Sequence, residues 1–63
     1  MLKGFISAGR NSFGYRVSIR IEGYPEADFY DYSVTEVKRI YKAHHYLDSR
    51  HVKWIVSEGL PEA

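Results

Sequence analysis

The chain has no cysteine. That excludes disulfides and thiolate zinc centres, the usual staples of very small domains. It has no apolar run near the roughly 20 residues that a membrane-spanning helix needs. Its first eight residues lack the charged-then-apolar layout of a signal peptide. A soluble protein of a reducing cytoplasm is therefore expected. Internal repeats, low-complexity segments, phosphate-binding loops and catalytic motifs are also missing. A net charge of +1 gives by itself no reason to expect a nucleic-acid partner.

What remains is small and aromatic. A chain of 63 residues is one domain, spanning 1–63, and a domain of that size buries only about 60% of the surface its unfolded state exposes. Its core needs a supplement, and self-association is the supplement left once cysteines are excluded. Six tyrosines in an aromatic content of 16% supply the amphipathic area that interfaces favour. A homodimer is expected.

The segment from Ser33 to Leu47, SVTEVKRIYKAHHYL, declares a helix. Ser33 and Glu36 form a capping box, in which the hydroxyl accepts from the Glu36 amide and the carboxylate reaches back to the Ser33 amide. Val34, Val37, Ile40, Tyr41, His44 and Leu47 recur at three- and four-residue spacing and gather on one face at about 100° per residue. Thr35, Lys38, Arg39, Lys42 and Tyr46 fall on the opposite arc, which is basic with one aromatic. Asp48 and Ser49 end the pattern.

The rest reads as a sheet. Residues 2–8 form a plausible strand. Tyr15, Val17, Ile19 and Ile21 alternate strictly with Arg16, Ser18 and Arg20, the period of a half-buried strand with a basic outer face. Gly9 to Gly14 between them suits a looser hairpin loop in preference to a two-residue turn. Pro25 marks the next turn, and residues 27–32 form a short third strand whose acids and brevity suit an edge. Residues 50–58 are ambiguous. Val52, Trp54 and Val56 alternate as in a strand, whereas the Gly-Leu-Pro sequence at 59–61 suits a helix end. Strand is preferred, with a helical final element as the alternative. In a strand, Ile55 points away from the Trp54 face and needs a second apolar surface. The fold class expected is α+β, a small antiparallel sheet of three to four strands with one helix packed on one face.

The chemistry of sites is sparse. His44, His45 and His51 offer imidazoles, but adjacent helical positions diverge by about 100° and cannot share an ion without distortion, so no metal or other cofactor is expected. His44 reads as a hydrogen-bonded core residue. Asp28, Asp31 or Glu36 with a histidine is the only general acid-base pairing available, and a domain this small has trouble enclosing a pocket of a few hundred Å³, so an enzyme is not expected. Charge is segregated along the chain: residues 1–20 carry only bases, 21–36 only acids, and 37–53 are mostly basic again. Such patches govern partner choice and encounter rate. Two surfaces follow: Lys38, Arg39, Lys42 and Tyr46 on the helix, with Tyr30, for a protein partner, and Arg16 and Arg20 on the sheet, joined by Lys3 and Arg10, for phosphates.

Three resemblances accompany these residues. Three antiparallel strands before a helix, with GYRVSIRIEG in the second strand, resemble the arm-binding domains of phage-type integrases over residues 13–47, which implies DNA reading by the sheet. SRHVKWIVSEGLP at 49–61, with YSVTEV as its opening, is similar to the second helix and exit of an excisionase-type helix-turn-helix. In size and layout, with SVTEVKRI as the matching helix, the chain also resembles small phage-encoded accessory proteins, including anti-CRISPR and other anti-defence inhibitors. The leading expectation is a non-enzymatic binding protein, a phage-type inhibitor that occludes a host or defence protein. The alternative is a nucleic-acid-binding module of integrase-arm or excisionase-like kind, and an assembly subunit is a third possibility.

Overall fold

A computed structural model describes residues 1–56. The chain runs β1 (Leu2–Asn11), β2 (Gly14–Ile21), β3 (Ala27–Tyr30), α1 (Val34–His44) and β4 (Val52–Val56). The strands form one sheet in the order β3-β2-β1-β4. This is the expected α+β domain with one helix. The last described element is a strand, so no second helix of an excisionase-type motif forms over 52–56. The Gly-Leu-Pro signal at 59–61 lies outside the described residues.

The sheet is mixed, a feature that alternation along single strands does not encode. β1 pairs antiparallel with β2 and β2 with β3, while β4 runs parallel to β1. β3 and β4 therefore point the same way at opposite edges, and α1 carries the chain between them. A parallel return of this kind requires a long crossover, for which a helix is the usual solution.

The β1–β2 hairpin closes with two residues, Ser12 and Phe13, because Asn11 is paired with Gly14. The looser loop expected over 9–14 is corrected here. The Asn11 side-chain oxygen accepts the Phe13 amide at 2.8 Å, a local bond that builds a turn, and Gly14 takes φ +124, which only glycine adopts freely. Gly9, which had looked like a loop residue, lies within β1.

Alternation delivers Ile6, Val17, Ile19 and Ile21 to the face under the helix, where Val37, Tyr41 and Leu47 meet them as the buried core. The Ser33 hydroxyl accepts the Glu36 amide at 3.1 Å, so the first half of the capping box forms. The Glu36 carboxylate turns instead to Arg39, 3.6 Å away. The helix ends at His44, earlier than Leu47. The Leu47 amide bonds to the Lys42 carbonyl at 2.7 Å and the Tyr46 amide to the Ala43 carbonyl at 3.1 Å. Those two bonds make a Schellman cap with Tyr46 in the left-handed position.

Two contacts anchor the halves of the sheet. On the β4 side, Gly4 is buried and a Cβ there would lie 2.5 Å from the Trp54 ring, so the missing side chain is what lets the indole lie on β1. Lys38 reaches from the helix to within 5.4 Å of the Trp54 ring centroid. On the β3 side, the buried Tyr41 hydroxyl accepts the Ile21 amide at 3.3 Å and donates to the Pro25 carbonyl, which ties the helix to the β2–β3 turn.

Candidate binding surfaces

The sheet has two faces, and α1 covers one. Among the described residues nothing packs on the other. Register places its side chains in rows: Lys3 beside Lys53, then Arg20 beside Phe5 and Ile55, then Asp28 beside Ser18 and Ser7, then Tyr30 beside Arg16 and Gly9.

The face divides into two halves. Towards β3 its groups satisfy one another. The Ser18 hydroxyl donates to Asp28 at 2.7 Å, Arg16 pairs with the other oxygen of the same carboxylate at 3.2 Å, and Asn11 donates to the Tyr30 hydroxyl at 3.2 Å. Phe13 meets the Tyr30 ring edge-on, 6.4 Å between centroids. Arg16 is therefore already neutralised. Over Gly9 this half holds a shallow polar depression of about 150 Å³.

Towards β4 the groups do not satisfy one another. Lys3 and Lys53 stand directly opposite on neighbouring strands, an arrangement that costs stability when like charges share a face. Among the described residues neither has an ion-pair partner. Arg20 lies over Phe5, 4.5 Å from its centroid, and Ile55 beside it is 40% exposed. As the strand reading required, Ile55 points away from the Trp54 face.

Of the sheet arginines, Arg16 and Arg20 share this face. Arg10 does not join them: it pairs with Tyr15 in register and lies 5.9 Å from that ring, on the opposite face of the sheet. Lys3, the other residue expected to join them, does lie on this face.

The helix surface is likewise partly committed. Lys38 sits on Trp54, and the Lys42 ammonium donates to the Arg50 carbonyl at 2.9 Å, closing the loop into β4. Arg39 and Ala43 are exposed at four-residue spacing on the helix, and Tyr46 is exposed just past its end. Tyr46 is 91% exposed with φ +59. Tyr30 is on the bare sheet face, so the structure does not bring it together with the helix residues.

His44 is exposed, a correction to its expected core position. The helix seats on the line of Val37, Tyr41 and Leu47, which turns Ile40 and His44 outward to the β3 side. There, with Pro25, Ala27 and Phe29, they line an open groove of about 440 Å³. The sequence signal for it was the i, i+4 pair of Ile40 and His44 beside a short edge strand. His45 meets Tyr41 edge-on and Tyr24 at a tilt, at 4.7 and 5.0 Å between centroids. The described residues contain no group of three or more metal-ligating side chains and no helix long and apolar enough to cross a membrane. Comparisons with protein-family models, with curated proteins and with solved structures each found no match.

Proposed function

We propose that the chain is a non-enzymatic binding protein that occludes a surface of another protein, in the manner of a small phage-type inhibitor directed at a host defence protein. Tyr46 carries this reading. A tyrosine in the left-handed region costs about 1 kcal/mol or more against glycine, and at 91% exposure its ring recovers almost nothing by packing. Backbone strain held at an exposed aromatic is a mark of a working surface. Tyrosine and arginine are also among the residues that dominate interface energetics, and Arg39 is exposed on α1, the helix that Tyr46 caps.

The test is capture of a partner from a phage host's extract by the native chain, by Tyr46→Ala and by Phe13→Ala. Phe13 is 79% exposed at the hairpin tip and serves as the aromatic control. Capture lost on Tyr46→Ala and kept on Phe13→Ala supports the reading, and capture indifferent to Tyr46 removes it.

A second reading rests on the cationic half of the bare face. Lys3, Lys53 and Arg20 around Phe5 offer phosphate contacts beside an aromatic platform. Binding to DNA through them would fall steeply with salt, and Lys3→Ala or Arg20→Ala would each lower the salt slope by about one. Salt-independent binding, or none, rules it out.

A further inference from the structure

The two outer strands differ in what they leave on offer. β3 has four residues, carries Asp28 and stops at Asp31 with φ +68, and short acidic strands with a kinked exit are poor templates for pairing. β4, Val-Lys-Trp-Ile-Val, has no acid and no proline, and both Ile55 and Val56 are exposed. Among the described residues nothing pairs with the outer edge of β4, and an apolar edge of β-branched and aromatic residues is the kind to which another strand adds.

The ladder to β1 fixes which backbone groups of β4 point to that edge. The Leu2 amide donates to the His51 carbonyl at 3.1 Å, and in a ladder alternate residues address the neighbouring strand. His51, Lys53 and Ile55 therefore turn their N–H and C=O groups to β1, and Val52, Trp54 and Val56 turn theirs to the open edge.

We infer that β4 pairs antiparallel with β4 of a second copy of this chain, about a two-fold axis normal to the sheet, with Trp54 opposite the partner's Trp54. Such an axis keeps both helices on one side, so side chains meet only others of their own face and registers shift in steps of two residues. Centring on Trp54 matches Val52 with Val56 and uses every outward group of the described strand. It also sets Lys53 opposite the partner's Ile55. Centring on Lys53 would oppose two lysines on one face, and centring on Ile55 would leave the groups of Val52 without partners among the described residues. The occupant is a second copy because this edge is complementary to itself in hydrogen bonds and, in this register, sets no like charges directly opposite. A domain of this size also gains most from extending its sheet. The pairing leaves Tyr46 and Arg39 outside the interface, so this inference and the proposed function stand or fall separately.

Sedimentation and cysteine cross-linking test it on the full chain. The native protein sediments as a dimer. Ile55→Lys sets two new like-charge pairs across the interface and raises the dissociation constant at least about tenfold. Ile55→Glu faces Lys53 and keeps or tightens the dimer. Because the chain has no cysteine, Lys53→Cys mixed with Ile55→Cys gives a disulfide between the two, these positions being a close, non-hydrogen-bonded pair about 4.5 Å apart at Cα. Ile55→Cys alone does not cross-link. A native chain that is monomeric at all concentrations overturns the inference, as does a dimer in which Ile55→Cys cross-links to itself or the mixed pair does not cross-link. The cysteine pair decides the matter even where Ile55→Lys fails to fold.

Discussion

The two edge strands of this sheet are held by opposite means. β3 is held by polar bonds: Tyr41 grips the turn before it through the Ile21 amide and the Pro25 carbonyl, and Asp28 is tied down by Ser18 and Arg16. β4 is held by shape, with an indole lying where Gly4 has no side chain and Lys38 above it. Directional bonds fix a short strand that has little area to bury, whereas close packing fixes a strand that must find its place after a long crossover.

Breaking the shape-based anchor has the largest expected effect. Gly4→Ala puts a methyl 2.5 Å from the Trp54 ring and costs about 3 kcal/mol, read by chemical denaturation, with a red shift of tryptophan fluorescence as the indole leaves β1. A variant as stable as the native chain would show that β4 is not held in this way. Breaking the polar anchor comes next. Tyr41→Phe leaves the buried Ile21 amide without its acceptor and costs about 2 kcal/mol, with amide exchange accelerating at β3 and the turn before it, and not at β4. Equal acceleration at both edges would erase the distinction drawn here.

The connection into β4 offers a change of opposite sign. Tyr46→Gly relieves the left-handed strain and raises stability by about 1 kcal/mol, or several degrees of melting temperature for a domain of this length. A stabilised variant that no longer captures the partner would separate function from fold at one residue. The smallest effect belongs to Lys38→Ala, which removes the cation over Trp54 for about 0.5 kcal/mol, detectable as a small midpoint shift in urea.

Much of this architecture was legible in the residues. Ser33 and Glu36 marked the helix start because a cap is a local bond, and the alternation from Tyr15 to Ile21 gave both faces of β2 because side-chain period is a local property. The parallel partnership of β1 with β4 was not legible, since it depends on where a helix delivers the chain. Its one trace was Gly4 inside an otherwise strand-like run, the mark of a close approach. The turn was misplaced because Gly9 and Gly14 look alike in sequence, and only Gly14 uses its freedom. Of the site, spacing put Arg16 and Arg20 on one face. It did not reveal that Asp28 neutralises Arg16, that Arg10 faces the other way, or that Lys38 and Lys42 have structural work. Those facts depend on cross-strand and cross-layer neighbours.

The parallel ladder also bears on how fast the chain folds. β1 sits inside the sheet, yet one of its two neighbours is the last described strand, with Leu2 beside Val52 and Ile6 beside Val56. The β1–β2 hairpin closes a two-residue loop, whereas the β1–β4 ladder closes nearly the whole described chain. Loop-closure entropy opposes the second far more than the first, and long-range pairings of this kind slow folding. On a ribosome this central strand emerges before β4 and must wait for β4 to leave the exit tunnel before its second edge is filled.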